Sequence, residues 1–524
     1  MKVINKIKLK NYKRFPEFEV EFSEEVNLII GDNEAGKSSL LTAIELVISG
    51  SKSKVESIGL ENLFNKQAIN DFFASGKKIE SLPTLHIELF LNEQNNPNLN
   101  GKVNSDNNNI SCDGLQLICE PNTDELTHEI AEVLAQDDNN FPFEYYLVKF
   151  VTFAGEAYTG YRKFLKYLAL DSSQINNEYA TKEYIKTVYE NFVEQTDRIK
   201  LRNEYRQQKV TFRDTKLKDI NDQLPEYQFA IRSSSKSNLE TDLNIVENEV
   251  PIENKGKGRQ CFIKTDFALK QHDENQSLDV LLLEEPENHL SHTNMKKLVN
   301  KIAESQAKQI FVATHNSLIS TRLNLRNSVL LNSNSTAAMV MRDLPEDTAK
   351  FFMKAPDNNI LEFILSKKVI LVEGDAEYIL LDALYTKETG STIEADDIHV
   401  ISVGGTSFKR YLDIAKILEI KVAVIRDNDG DGQVNCVDGY SDYQADNMNV
   451  FYDADDGNST FEICLYNLNQ VACDDLWLAD RRTLPVLGFM LKNKADCAFK
   501  LLEDKADELI TPDYIKQAFT WINE

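Results

Sequence analysis

Four stretches of this 524-residue chain hold residue types at spacings suited to phosphate chemistry. The first is GDNEAGKS, Gly31 to Ser38, which fits G-x-x-x-x-G-K-[ST] without a mismatch. Glycines there let the backbone close around phosphates, and N–H groups at a helix start add positive potential. Lys37 is placed to reach the β- and γ-phosphates of a nucleotide, and Ser38 to hold Mg²⁺. Asn33, Gly36 and Ser39 complete the candidate cradle. The second stretch is VLLLEEPENHL, in which Glu284 ends an apolar run and Glu285 follows it. An acid at that strand end serves the magnesium, and its neighbour can polarise the attacking water. The third, IFVATHNS, ends on Thr314 and His315, in order for a γ-phosphate sensor. The fourth is split: VILVEGDAE carries Glu373, Asp375 and Glu377, and KVAVIRDNDGDG carries Asp427, Asp429 and Asp431. So many carboxylates in one place are costly unless a cation neutralises them. Hard oxygen donors of this kind select Mg²⁺ or Mn²⁺.

Each stretch needs a strand to end on. Residues 1–50 read strand, strand, glycine loop, helix, and PTLHIELFL alternates as a strand does. Residues 92–114, rich in Asn, Asp and Gly, read as a long surface loop. From about 158 to 230 the pattern turns helical and charged. Residues 198–218 hold eight Lys or Arg against two acids, a solvated helical arm or a DNA-facing stripe. SSSKSN, 233–238, reads as a flexible break, and 346–360 as a linker. The acids of the fourth stretch follow buried runs separated by a Gly-Gly turn and a helix. That order is suited to an open α/β sheet, whose ligands gather at the carboxyl ends of strands. NKGKGRQ, 254–260, has two glycines that could approach a phosphate but lacks a serine.

The chain is too long for one core, so two or three domains are expected. Its composition, 42% hydrophobic and 27% charged, is that of a globular protein. A net charge of −26 argues against a general nucleic-acid coat, while leaving room for a DNA enzyme with a local basic patch. Seven scattered cysteines without a CxxC pair read as reduced thiols of a cytoplasmic protein. No stretch approaches the ~20 apolar residues of a membrane span.

The set GxxxxGKS, EEPENHL and THNS resembles the ATP-binding-cassette ATPases of the chromosome-maintenance type, whose nucleotide-binding half is split by a helical insertion. Glu284 stands where many such enzymes have Asp. The glutamate, glycine turn and D-x-D of the last third resemble the Toprim domain. With Glu462 in STFEICLYN and Lys494 in MLKNKADCAFKLLE, the whole chain resembles the OLD (overcoming lysogenisation defect) family nucleases. That resemblance implies an α/β chain: an ATPase in residues 1–157 and 236–350, a helical and dimerising insertion in 158–235, and a Toprim nuclease in 366–524. It also implies two-metal phosphodiester cleavage. Glu373, Glu377 and Asp427 would hold one ion, and Asp429 and Glu462 the second. Asp375 would be an outer ligand and Asp431 a supporting residue. Lys494, with Lys492 as runner-up, would stabilise charge on the phosphate.

The expectation is an ATP-binding, Mg²⁺- or Mn²⁺-dependent DNA endonuclease of anti-phage defence, gated by nucleotide or partner. Its partners would be DNA, further copies of itself as a homodimer or higher oligomer, and a defence component. That component would be a retron reverse transcriptase with its nucleic acid or, as in Gabija, a helicase. The competing expectation is an ATP-driven DNA-binding repair clamp with a non-catalytic Toprim module. A topoisomerase would need a transesterifying tyrosine, and none of the 19 tyrosines sits in a recognisable context.

Overall fold

The computed structural model describes residues 3–106, 110–136, 139–160, 164–174, 178–224, 226–232, 238–269, 278–305, 308–333, 337–355, 359–480 and 483–524. They form two compact units. The first comprises residues 1–315 and 327–338, the second 316–326 and 339–524.

The first unit is built on two sheets. Strands Ile4–Tyr12, Phe15–Glu21, Leu85–Leu91, Cys112–Pro121 and Tyr146–Thr152 pair antiparallel. Ile7, Leu9, Ile87, Leu89, Leu115 and Leu117 of these strands are buried in one core. The second sheet is parallel, in the order Ser328–Leu331, Val26–Gly31, Gln309–Thr314, Val280–Glu284, Tyr167–Asp171. Val26–Gly31 and Gln309–Thr314 are buried at every position, as parallel strands covered on both faces must be. Parallel register puts the carboxyl ends of Val26–Gly31, Val280–Glu284 and Gln309–Thr314 on one rim. The helix Lys37–Ser49 leaves that rim and buries Leu40, Ile44 and Val47.

The second unit holds a four-stranded parallel sheet in the order Ile398–Ser402, Lys368–Val372, Lys421–Ile425, Met448–Phe451. Chain order therefore reverses between Lys368–Val372 and Lys421–Ile425. That is the topological switch point, where the crevice of an open α/β sheet lies. Helices Asp375–Thr389, Lys494–Lys505 and Asp513–Asn523 bury Leu380, Leu384, Leu501, Ile515 and Phe519 in one core with Ile370, Val372, Ala423 and Ile425.

Several expectations change. Within 346–360 the described residues are mostly helix rather than an extended linker: Glu346–Lys354 is one helix and Ile360–Leu365 begins another. Thr348, Ala349 and Phe352 recur at helical spacing and are buried, and Phe352 meets Tyr411 edge-on with centroids 5.2 Å apart. The stretch 158–230 is not wholly helical, because Tyr167–Asp171 is a strand of the parallel sheet; the helices there are Glu178–Phe192 and Gln195–Lys216. The loop from 92 ends three residues early at the strand Cys112–Pro121, and Asn100–Gly101 pairs with it. The expected break at 233–238 lies outside the described residues up to 237. All seven cysteines are free.

Candidate functional sites

The glycine loop joins the Val26–Gly31 strand to the Lys37–Ser49 helix. Gly36 is left-handed, at φ 97°, and a Cβ there would stand 2.6 Å from the Phe15 ring. The loop can therefore close over Phe15 only with glycine at this position. Lys37 Nζ donates to the carbonyls of Gly31 at 2.7 Å and Asp32 at 2.8 Å. Burial lowers its pKa, against the pull of Glu285, Asp32, Glu284 and Glu287. Arg14 straps the loop from outside, donating to Glu34 O at 2.7 Å and Ser333 O at 2.7 Å. Asn33 is exposed, Ser38 is exposed and Ser39 half-buried.

Glu284 ends its strand beside this loop. Burial raises its pKa, while a hydrogen bond from Ser38 opposes the shift. Glu285 takes a left-handed backbone, φ 44°, and its N–H donates to Ala313 O at 2.8 Å on the neighbouring strand. Asn288 Nδ2 donates to Glu285 Oε2 at 2.7 Å. His315 Nδ1 stands 3.3 Å from Glu285 Oε1 and 3.9 Å from Glu287 Oε1. Lys37, Ser38, Glu284, Glu285 and His315 are thus brought to one rim. NKGKGRQ supplies the start of the helix Lys257–Leu269, and Gly258 packs on the turn after Glu285. A Cβ on Gly258 would stand 2.2 Å from His289 O. Gly258→Ala should therefore displace that turn and cost about 1–3 kcal/mol. A thermal melt unchanged from wild type would refute the close approach.

In the second unit, Glu373 follows the Lys368–Val372 strand, Glu377 lies in the first turn of the next helix, and Asp427 follows Lys421–Ile425. Since Leu371 pairs with Val424, both acidic turns leave the sheet at the switch point. Glu462 joins them from the first turn of Phe461–Leu468. Burial is the largest cause of raised pKa at Glu373, Glu377 and Asp427, and mutual repulsion adds to it. Glu377 is pushed up to about 7 and Asp427 to about 8. Phe461 N–H donates to Asp427 Oδ1 at 2.7 Å. Lys494 Nζ pairs with Glu462 Oε2 at 2.8 Å, which distinguishes it from Lys492 at the end of the preceding helix. Asp429, at φ 53°, is exposed and faces Arg426 Nη2 at 3.6 Å. Asp375 and Asp431 are exposed.

A divalent cation fits this rim on the chemistry of its donors. Glu373 Oε2 is buried without a hydrogen-bond partner. The acids that repel one another here are hard oxygen ligands. Among the described residues no three His, Cys, Asp or Glu side chains are arranged as ligands of one ion. The carboxylates are instead engaged by Lys494 and the Phe461 N–H, or held apart by repulsion.

The carboxyl groups carry a pH dependence. Their folded pKa values exceed the unfolded ones, so the folded chain holds more protons between about pH 4.5 and 8. Stability of EDTA-treated protein should fall as pH rises through that window. Mn²⁺ should restore more of it at pH 8 than at pH 5.5, and Asp427→Asn should flatten the slope. Melting curves that rise toward pH 8 in EDTA would contradict this assignment.

Residues 1–319 match the AAA ATPase domain family, and residues 364–429 match the Toprim domain of overcoming lysogenization defect protein-like proteins. The chain belongs to the OLD family. Similar proteins include the DNA replication and repair protein RecF of Alkaliphilus oremlandii (strain OhILAs), 32% identical over 103 residues. That match spans 20% of this chain and 27% of RecF. The C-terminal region of the Xanthomonas campestris pv. campestris OLD protein is 20% identical, with TM-score 0.24, over 30% of this OLD chain and 94% of that one. The SMC head domain from Thermotoga maritima is 14% identical, with TM-score 0.31, over 64% and 97%.

The pairing of an ATPase domain with an OLD-like Toprim domain implies nucleotide binding. Three residues of these sites were not singled out from sequence. Arg14 was hidden in an alternating strand pattern. Glu287 was quoted in EEPENHL without a role. Arg426 precedes the D-x-D, with Nη1 donating to Asn435 O at 2.7 Å and its guanidinium 5.3 Å from the Tyr440 ring. A charged residue ending a buried strand was the available signal for Arg426.

Proposed function

We propose that this OLD-family chain is an ATP-binding, divalent-metal-dependent DNA endonuclease of anti-phage defence, with nuclease activity gated by nucleotide or by a partner. The observation that carries the reading is the carboxylate rim at the switch point of the second unit, with Lys494 beside it. Glu373, Glu377 and Asp427 would hold one Mg²⁺ or Mn²⁺, and Asp429 and Glu462 a second. When bound, the ions activate water and stabilise the leaving oxygen of a phosphodiester. Lys494, free to leave Glu462, would meet negative charge on the phosphate. Asp427 keeps its orientation through the Phe461 N–H, and Arg426 faces Asp429 from within the same turn. In the first unit Lys37 and Ser38 would hold the nucleotide phosphates and Mg²⁺, Glu284 would serve that ion, and Glu285 would polarise water beside His315.

Self-association is part of the proposal. The Gln195–Lys216 helix buries none of its residues and exposes Ile199, Leu201, Val210 and Phe212. These suit a homodimer contact, in line with an insertion that dimerises. Sedimentation as a monomer at micromolar protein, with and without ATP, would refute it. Among the described residues no helix is long and apolar enough to cross a membrane.

Supercoiled plasmid incubated with the full chain and Mg²⁺ or Mn²⁺ tests the function. Nicked or linear product supports the nuclease, and a rate that changes with ATP or ADP supports gating. Absence of cleavage under every condition, with ATP and DNA still bound, would favour the repair clamp. A neighbouring gene for a reverse transcriptase or a helicase would identify the defence partner.

A further inference from the structure

The turn after Glu285 contains a carboxyl group with no role in the sites as described. Glu287 is 7% exposed. Its Oε1 accepts from Thr314 Oγ1 at 2.5 Å and stands 3.9 Å from His315 Nδ1. Its Oε2 is buried and has no hydrogen-bond partner. A buried carboxyl with one oxygen unsatisfied is costly, so a merely structural link to Thr314 would be better made by a neutral side chain. The arrangement makes sense if the position of what it holds is worth that cost.

Thr314 ends the strand beside Val280–Glu284, in the register Glu284 to Ala313. The Glu287–Thr314 bond therefore ties two adjacent strand ends together. Between those ends Glu285 Oε1 meets His315 Nδ1 at 3.3 Å. His315 itself is half exposed, at 54% of its side chain. Two carboxylates on one side of Nδ1 favour a proton there and leave Nε2 to face outward.

We propose that Glu287 is a positioning residue, which fixes the Thr314–His315 corner so that the imidazole keeps Nδ1 toward Glu285 and turns Nε2 to the terminal phosphate. This rests on the reading that the first unit binds and hydrolyses ATP. Glu287 acts through His315 and touches no substrate. The carboxylate at 3.9 Å supplies the second half of an electrostatic clamp whose nearer half is Glu285.

Glu287→Gln in the full chain is the test, because it keeps size and the acceptor for Thr314 while removing the charge. Its kcat for ATP hydrolysis should fall about 10–100-fold, the scale of a small misplacement of a reacting group, with KM nearly unchanged. In a His315→Ala background the same change should add nothing, since the two residues act as a unit. ¹⁵N spectra of histidine-labelled protein should show His315 moving from the Nδ1–H tautomer toward Nε2–H. Full kcat in Glu287→Gln, or a loss that adds to that of His315→Ala, would overturn the proposal. Thr314→Val, which severs the Glu287–Thr314 bond and leaves the charge, replaces Glu287→Gln should that variant not fold, with the same fall in kcat expected. A wild type that binds ATP without hydrolysing it would sink the hydrolysis reading alone. The His315 spectrum would then decide, and a tautomer unchanged in the variant would overturn the role of Glu287.

Discussion

Asp427→Ala should abolish plasmid nicking while ATP binding stays at the wild-type level. The expected loss is about 10²–10⁴-fold, because a ligand shared by the reaction's cation is worth several kcal/mol of charge stabilisation. Asp427 is buried and pushed up to about 8 by that burial and by Glu377, Glu373 and Glu462. It leaves a buried strand directly and is held by the Phe461 N–H, so it has little freedom to be replaced by a neighbour. Asp429, by contrast, is exposed, and its loss should be milder. The comparison is read by gel under Mn²⁺, with ATP affinity measured on the same preparations. Unimpaired nicking by Asp427→Ala would place the chemistry elsewhere and remove the ground for a Toprim nuclease.

Lys37→Ala should weaken ATP binding about 10–100-fold, as expected for loss of hydrogen bonds to a charged phosphate. Before nucleotide enters, Lys37 is satisfied by the carbonyls of its own loop, at Gly31 and Asp32. Four acids lie in its field and oppose the burial that lowers its pKa. Phosphate oxygens offer it stronger partners than those carbonyls. If nucleotide gates the nuclease, the same variant should cleave at a rate indifferent to ATP. Calorimetric titration with ATP in Mg²⁺ checks the first expectation and the plasmid assay the second. Wild-type affinity in Lys37→Ala would mean that GDNEAGKS does not cradle the phosphates.

The elements that carry chemistry are short and local, and they could be read from the chain alone. A buried strand, a glycine loop and an amphipathic helix at Val26–Ser49 are specified by neighbours in sequence. So are the turn after Val280–Glu284 and the D-x-D after Lys421–Ile425. Misreadings fell where long-range pairing overrides local pattern. Tyr167–Asp171 lies in a helical and charged region and becomes a strand because Val280–Glu284 offers it a parallel edge. Residues 346–354 look polar and proline-bounded, yet three small or apolar positions find a cover in the Phe408–Leu418 helix. Spacing alone leaves Lys492 and Lys494 equivalent, whereas in the fold Lys494 starts the helix Lys494–Lys505 and pairs with Glu462.

From the order of residues alone one learns that this chain carries two phosphate-handling motifs and the acids for divalent ions, because each motif is set by a strand end and the few residues after it. Only the tertiary structure decides which acids share a rim, and that Arg426 and Glu287 stand beside the two sites. Those choices depend on parallel register and on the order of strands across a sheet. Register brings together residues far apart in the chain, and no local spacing encodes it.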